Sequence, residues 1–216
     1  MNSDLVIQLP LLATVAAWTL LGLIYLFQGS LHGPKYFLKR KPNYKQFSLL
    51  LLTTQIALLG LRNDDAMATQ PLTQILIYLG LSIMLSGLAL CAWAKFRLGR
   101  LWDWHASIQI DHSLVQVGPY RLCRNPIFLG QLGIFFGTAI TSCNLVVALV
   151  AILASTSFYR RTLLEEEVLA AHFGVVYYRY SLQVPRFVPK PLAGVPQAVR
   201  TFAQLVPEQQ PAANKP

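Results

Sequence analysis

The sequence predicts an all-α, polytopic membrane protein with about five transmembrane helices. Of its 216 residues, 54% are hydrophobic and only 12% are charged, which is about half the charged fraction usual for a soluble domain. Asp, Glu, Lys and Arg are missing from four long stretches, at residues 5–34, 46–61, 66–94 and 125–159. This composition excludes a disordered chain, a disulfide scaffold and most ordinary cytosolic enzymes.

The last uncharged stretch is too long for one helix and predicts a helical hairpin at residues 126–159. Polar residues divide it into helices at about 126–140 and 145–159. Fifteen residues rise roughly 22 Å, less than the bilayer core of about 30 Å, so either the flanks lengthen the hairpin or it dips in without crossing. In both cases the chain returns to the side it left. We therefore expect the flanking residues, 121–126 and 160–167, to lie near each other.

The basic residues predict the orientation of these helices. With the N-terminus outside and the C-terminus inside, all of the 18 Lys and Arg residues except Arg62 fall on the cytoplasmic side, as the positive-inside rule requires. The net charge of +9 is then explained by orientation and anionic lipid headgroups, and we expect no nucleic acid partner. The residues from Asn2 to Asp4 lack the basic start of a signal peptide.

A polar segment before the hairpin is the first candidate for chemistry. The alternation at 108–110 and 115–117 predicts a small hairpin or an extended loop. Asn125 and Pro126 predict a helix start, with Asn as the N-cap and Pro at the first helical position. A helix N-terminus beside Arg124 suits an anion such as a carboxylate or phosphate. The alternative is a plain capped helix with snorkelling arginines.

The segment after the hairpin is the second candidate, and it predicts an amphipathic cytoplasmic helix that ends at Gly174. Arg161 and Glu165 stand four residues apart, so they would pair on a helix surface even without a function. Glu166 and Glu167 likewise fit a solvated face. Taken singly, none of these residues identifies a function.

Three other features favour structure over chemistry. The GxxxG pattern at 133–137 is typical of close packing, which we assign to the two hairpin helices rather than to a ligand. The four histidines show no HxxxH or HExxH spacing, so we expect no metal. Cys123 lies between two arginines, but no motif supports a covalent nucleophile there.

Two blocks of residues between 105 and 190 carry a resemblance when they are taken together. The first block contains His112-Ser113-Leu114-Val115, Gly118-Pro119-Tyr120-Arg121 and Arg124-Asn125-Pro126-Ile127-Phe128. The second contains Arg161, Glu165-Glu166, Phe173-Gly174, Tyr177, Tyr180 and Val184-Pro185-Arg186. In order and spacing, this set resembles the isoprenylcysteine carboxyl methyltransferase family, part of a group of integral-membrane methyltransferases that includes phospholipid methyltransferases.

The resemblance implies a pocket for S-adenosylmethionine that is entered from the cytosol, with a lipophilic acceptor arriving from the bilayer. The cofactor-binding glutamate resembles Glu165, and the substrate-binding arginine resembles Arg161. Asn125 replaces a usual His and Phe128 a frequent Tyr, so position 125 is expected to be a hydrogen-bond donor or cap rather than a general base. The resemblance implies that the pocket is lined by His112, Ser113, Leu114, Val115, Tyr120, Asn125, Pro126, Ile127 and Phe128.

The chemistry of S-adenosylmethionine agrees with this set of residues. Glu165 or Glu166 can accept from its diol or ammonium, and the helix start with Arg124 can hold its carboxylate. Tyr120 and Phe128 can pack on the adenine or face the sulfonium. Because methyl transfer is an in-line displacement, most of the catalysis can come from alignment and desolvation.

The sequence leaves the acceptor open among a prenylated cysteine, a phospholipid amine, a quinone-like molecule and a small thiol. Arg161 could hold a carboxylate acceptor, which needs no general base, so an O- or S-nucleophile is mildly favoured. Two other classes stay open: an NADPH-dependent membrane reductase of the sterol-reductase type and a non-catalytic membrane scaffold. We divide the chain into N-terminal transmembrane helices (1–95), a cofactor-binding region (96–190) and a partly disordered tail (191–216).

Overall fold

The computed structural model describes residues 3–27, 35–36, 70–101, 108–109 and 113–187. In chain order, these residues form α1 Ser3–Phe27, β1 Lys35–Tyr36, α2 Pro71–Leu98, the 3₁₀ turn η1 Gly99–Leu101, β2 Ile108–Gln109, the 3₁₀ turn η2 Gly118–Arg121, α3 Pro126–Ser142, α4 Leu145–Phe173 and α5 Val175–Gln183. The described part of the chain is therefore mainly helical, as the sequence predicts. The predicted helix at 46–61, His112 and the predicted tail at 191–216 lie outside the described residues.

Two of the helices are long and apolar enough to cross a membrane. α2 has 28 residues and α4 has 29, so each rises more than the roughly 30 Å of a bilayer core. Both expose large apolar side chains, among them Phe96 at 78% and Leu145 at 75%. Because a surface facing water rarely carries so extended an apolar face, we attribute it to contact with lipid. The helices thus support the membrane character that the composition predicts.

Glycines bring α2 and α3 into close contact. A Cβ atom on Gly87 would lie 2.5 Å from the carbonyl oxygen of Gly130, and one on Gly137 would lie 2.6 Å from that of Gly80. These backbones approach so closely only because the side chains are absent. The GxxxG residues were predicted to pack the two hairpin helices together, and this choice of partner helix is wrong. The glycines of α3 face α2, whose own glycines lie two turns apart on one face.

α1 is tied to both of these helices. The indole Nε1 of Trp18 donates to Oγ1 of Thr138 on α3 at 3.2 Å, and its ring meets Phe135 edge-on at a centroid distance of 5.1 Å. Near the end of α2, Nζ of the buried Lys95 donates to the carbonyl of Ile24 at 3.2 Å. The last carbonyls of a helix have no partner within it, so Lys95 satisfies one at the end of α1.

α4 is a single helix that runs from the apolar hairpin into the polar region. Asn144 caps its start by accepting from the N–H of Val146 at 2.8 Å. The helix ends before Gly174, whose φ is 52°, and this confirms the predicted end. The structure joins the predicted hairpin helix at 145–159 and the amphipathic helix that follows it into one element, because no breaking residue separates them. The uncharged part of α4 ends at Tyr159. The helical turns after Tyr159 make the second hairpin helix longer than predicted, and they lie outside the predicted membrane segment.

The segment before η2 does not form the small hairpin that is one of its two predicted forms. Ile108–Gln109 forms an antiparallel pair with Lys35–Tyr36, with Lys35 opposite Gln109. Residues 113–116 have no regular secondary structure. The predicted hairpin within 108–117 is therefore wrong, because its first strand pairs with a segment that is distant in the sequence. The alternative prediction, an extended loop, agrees with residues 113–116.

Candidate functional site

The residues on either side of the hairpin are in contact, as its topology predicts. Nη2 of Arg124, just before α3, lies 3.0 Å from Oε2 of Glu166 on α4, and each side chain is only 11% exposed. A long-range ion pair this well shielded from water differs from a solvated surface pair. The turn before α3 and the polar part of α4 therefore form one site.

Glu166 is the centre of a polar cluster, the Glu166 cluster, which comprises Arg124, Asn125, Glu166 and Arg186. Oε1 accepts from Asn125 Nδ2 at 2.8 Å, from Arg186 Nε at 3.1 Å and from Arg124 Nε at 3.2 Å. Oε2 accepts from Arg186 Nη2 at 2.9 Å and from Arg124 Nη2 at 3.0 Å. Both guanidinium groups thus bind the carboxylate in a bidentate, charge-assisted geometry.

These hydrogen bonds determine the ionisation of Glu166. Burial raises the pKa of its carboxyl group, but the hydrogen bonds from Arg186, Arg124 and Asn125 outweigh burial. The net result is a pKa below the ordinary value of a glutamate. The cluster therefore holds a carboxylate anion at neutral pH, with two cations fixed to it.

The C-terminal end of the described chain completes the Glu166 cluster. The backbone N–H of Arg124 donates to the carbonyl of Pro185 at 2.8 Å, and the next N–H donates to that of Arg186 at 3.2 Å. Nη1 of Arg124 also donates to the carbonyls of Ser181 and Val184, at 2.7 Å each. These two carbonyls lie near the end of α5, where the helix leaves carbonyls without an internal partner. The turn before α3 is thus held between α4 and the C-terminal segment.

A second ion pair lies on a different face of α4. Nε of Arg161 donates to Oε1 of Glu165 at 2.9 Å, and the two side chains are 18% and 27% exposed. The guanidinium carbon lies 5.9 Å from the ring centroid of Phe128 on α3, within the range of a cation–π contact. Burial raises the pKa of Glu165, although Arg161 opposes this shift. The pair is therefore more enclosed than its helical spacing alone requires.

Tyr120 connects η2 to α5. Its side chain is buried, and its carbonyl accepts from the hydroxyl of Tyr180 at 2.7 Å. Burial raises the pKa of the Tyr120 hydroxyl, and the negative charge of Glu165 shifts it in the same direction. The hydroxyl therefore stays protonated at neutral pH.

Asn125 starts α3 but does not cap it with its side chain. It occupies the N-cap position with Pro126 at the first helical position, yet no capping hydrogen bond is made. The predicted helix start is confirmed and the predicted side-chain cap is wrong, because the amide is turned to the carboxylate of Glu166. The alternative prediction for Asn125, that its side chain is a hydrogen-bond donor, agrees with this contact.

The predicted site residues are unequally placed. Pro126 and Ile127 form the first turn of α3 at the site. Ser113 is exposed, and Leu114 and Val115 are half-buried, in the extended segment that leads into η2. His112 lies outside the described residues. The structure brings seven of the predicted residues to one end of the hairpin: Tyr120, Arg124, Asn125, Phe128, Arg161, Glu165 and Glu166.

Sequence reasoning gave no role to Arg186 or Tyr159. Nη1 of Arg186 donates to the hydroxyl of Tyr159 at 3.1 Å, and its guanidinium carbon lies 5.5 Å from the centre of that ring. Tyr159 and Glu166 stand two turns apart on α4, so one arginine reaches both. The available signal was the Val184-Pro185-Arg186 motif in the second block of the resemblance.

The fold and the site together define a class of protein: an apolar helical hairpin whose two polar ends form a buried ionic site beside lipid-facing helices. Residues 75–175 match the family model described as phospholipid methyltransferase. This stretch contains α3, α4, η2 and most of α2. The resemblance predicted from the sequence is thus confirmed over this part of the chain.

The relatives have a more particular name. Protein-S-isoprenylcysteine O-methyltransferase of Mus musculus is 35% identical over 79 residues, which are 36% of this chain and 28% of the mouse protein. The Rattus norvegicus protein of the same name gives the same identity and coverage. Protein-S-isoprenylcysteine O-methyltransferase A of Arabidopsis thaliana is 39% identical over 79 residues, which are 36% of this chain and 40% of the plant protein. The chain thus matches less than half the length of each relative.

Proposed function

We propose that the chain is an integral-membrane methyltransferase that moves a methyl group from S-adenosylmethionine to a lipophilic acceptor. The observation that carries the proposal is the meeting of Phe128, Arg161 and Glu165 at the polar end of the hairpin. These residues lie within the region that matches the methyltransferase family. The exposed apolar faces of α2 and α4 support entry of the acceptor from the bilayer.

Glu165 fits the cofactor better than Glu166 does. A carboxylate offers about four lone-pair sites, and Glu166 already accepts five hydrogen bonds from Arg124, Asn125 and Arg186. Glu165 is half-buried and accepts from Arg161 through one oxygen, so it retains capacity for an ammonium or a ribose diol. We therefore assign the cofactor contact to Glu165 and a supporting role to the Glu166 cluster.

Two rings supply the remaining recognition. Phe128 and Tyr120 are both 8% exposed, and Phe128 contacts the guanidinium of Arg161, so we assign these two rings to the adenine or the sulfonium. The protonated hydroxyl of Tyr120 is a hydrogen-bond donor. S-adenosylmethionine supplies a positively charged sulfonium with a transferable methyl group when it is bound. The chain's residues then align the acceptor and exclude water.

Arg161 is placed to hold an anionic acceptor. It lies at the junction of the apolar and polar parts of α4, next to Phe128. A carboxylate is already deprotonated at neutral pH and needs no general base, whereas an ammonium must first lose a proton. The names of the mouse, rat and plant relatives specify O-methylation at an isoprenylcysteine. We therefore propose a carboxylate on a prenyl-like apolar chain as the acceptor class.

Titration calorimetry of detergent-purified protein with S-adenosylhomocysteine tests the cofactor assignment. We expect saturable binding that Glu165→Gln weakens about tenfold, because a hydrogen bond to a charged group contributes roughly 1.5–3 kcal/mol. Glu167→Gln is the matched control, since this glutamate is exposed on the same helix, and its affinity should equal that of the wild type. No detectable binding at millimolar ligand contradicts the proposal.

Two further measurements separate the competing classes and identify the acceptor. Thermal protection by NADPH but not by S-adenosylhomocysteine would instead favour a reductase, and protection by neither would favour a scaffold. Incubation of membranes with methyl-labelled S-adenosylmethionine, followed by base treatment, distinguishes esters from amines, because methyl esters release methanol and methylated amines do not. We expect base-labile label in the lipophilic fraction.

A further inference from the structure

The Glu166 cluster joins three parts of the chain that are far apart in sequence. Arg124 precedes α3, Glu166 lies on α4, and Arg186 follows α5. Among the described residues, Glu166 is the one anion between the two guanidinium groups, and it contacts both in bidentate geometry at 2.9–3.2 Å. Removing Glu166 would leave two neighbouring cations uncompensated, whereas removing one arginine leaves a single ion pair.

Arg186 is the member of the cluster that fastens the C-terminal segment, residues 184–187, to the rest of the site. Its Nε and Nη2 donate to the carboxylate of Glu166, and its Nη1 donates to the hydroxyl of Tyr159. Its backbone carbonyl accepts from the N–H of Asn125 at 3.2 Å. One residue thus contacts two turns of α4 and the start of α3.

The clamped elements are the ones that carry the proposed cofactor contacts. Phe128 lies one turn after Asn125 on α3, and Glu165 adjoins Glu166 on α4. The distance between this ring and this carboxylate is therefore set by how α3 and α4 are joined at the Glu166 cluster. A displacement of about 1 Å at such a site can cost two orders of magnitude in rate.

We infer that Arg186 is a positioning residue of the proposed methyl-transfer site. Through its fork on Glu166 and its backbone contact with Asn125, the C-terminal segment clamps the start of α3 against α4 and thereby sets the spacing of Phe128 and Glu165. The inference rests on the proposed function. It gives the two adjacent glutamates separate tasks, in which Glu166 anchors the clamp and Glu165 faces the ligand.

Three variants of the full chain test the clamp by titration with S-adenosylhomocysteine. Arg186→Ala should raise the dissociation constant about tenfold, within the range of coupling expected for contacting groups. Arg186→Lys should restore only part of the affinity, because an ammonium keeps the charge but cannot form the fork. Arg160→Ala is the matched control, since it removes the same charge from an exposed position on α4, and it should bind like the wild type.

The titration separates positioning from stability because it gives the dissociation constant and the fraction of competent protein independently. A purely stabilising role of Arg186 lowers the competent fraction and the thermal midpoint but leaves the dissociation constant unchanged, which overturns the inference. If Arg186→Ala does not fold, Arg186→Lys carries the test, and wild-type affinity in this variant overturns it. Wild-type protein that binds no S-adenosylhomocysteine overturns the proposed function and the inference with it, whereas normal binding by both wild type and Arg186→Ala overturns the clamp alone.

Discussion

Glu165 and Glu166 show how two adjacent, identical residues acquire different chemistry. Burial raises the pKa of Glu165, which accepts from Arg161. Burial acts on Glu166 in the same direction, but its hydrogen bonds from two arginines and an asparagine reverse the sign. Consecutive residues on a helix point about 100° apart, so each carboxylate meets a different neighbouring element. Their difference is a property of their neighbours and not of their place in the sequence.

The depressed pKa of Glu166 predicts how stability depends on pH. Its folded pKa lies below the unfolded value, so its contribution is present above the unfolded pKa of about 4.3 and is lost as the pH falls through the folded pKa. We expect Glu166→Gln to unfold at a lower temperature than the wild type at pH 7. The gap should narrow below about pH 4 as the wild-type carboxyl group becomes protonated.

Thermal unfolding in detergent between pH 7 and pH 3 checks this expectation. Glu167→Gln serves as the control because its carboxyl group is exposed, and its midpoint should follow the wild type throughout. A gap between Glu166→Gln and the wild type that stays constant with pH would show that ionisation of Glu166 does not stabilise the fold.

At the scale of elements, the contact between the hairpin ends was predictable from the sequence. The face that each helix turns toward its neighbour was not. Any chain that turns back at Asn144 brings residues near Arg124 close to residues near Glu166, whatever their side chains. The face that each helix presents depends on packing that follows from matched glycines on α2 and α3. The GxxxG pattern therefore predicted close packing correctly but assigned it to the wrong helix, because small residues say how near a partner comes and not which partner it is.

The glycine contact predicts a sharp difference between two otherwise similar substitutions. A Cβ atom at Gly137 would lie 2.6 Å from the backbone of both Gly80 and Met84, whereas one at Gly22 in α1 would meet nothing within 4 Å. We expect Gly137→Ala to destabilise the fold by roughly 1–3 kcal/mol, because overpacking forces α2 and α3 apart. Gly22→Ala should be neutral or slightly stabilising, since alanine favours a helix over glycine. The thermal midpoints of the two variants check this, and equal midpoints would refute the close approach of α2 and α3.

At the scale of the whole molecule, the sequence predicts membrane character and an orientation, but it does not predict the long-range side-chain contacts. The distribution of lysine and arginine suggests which side each end of the hairpin occupies, because membrane insertion responds to local charge. The contact between Arg186 and Glu166 follows no such local rule. It requires α5 to turn the chain back, and only the hydrogen-bonded carbonyls at the end of α5 show how it does so.

The three cysteines predict a direct test of the proposed orientation. Cys91 and Cys123 are buried, whereas Cys143 is exposed in the turn between α3 and α4, at the end of the hairpin opposite the Glu166 cluster. Burial also raises the pKa of Cys123 to about 11, so little of its reactive thiolate is present at neutral pH.

With the polar site in the cytoplasm, a membrane-impermeant maleimide should label intact cells at Cys143, and Cys143→Ser should remove the label. Detergent should leave one reactive thiol per chain, and denaturation should expose the two buried cysteines. Labelling that instead requires inverted vesicles would place the site on the outer face, where cytosolic S-adenosylmethionine does not reach it, and would contradict both the charge-based orientation and the proposed function.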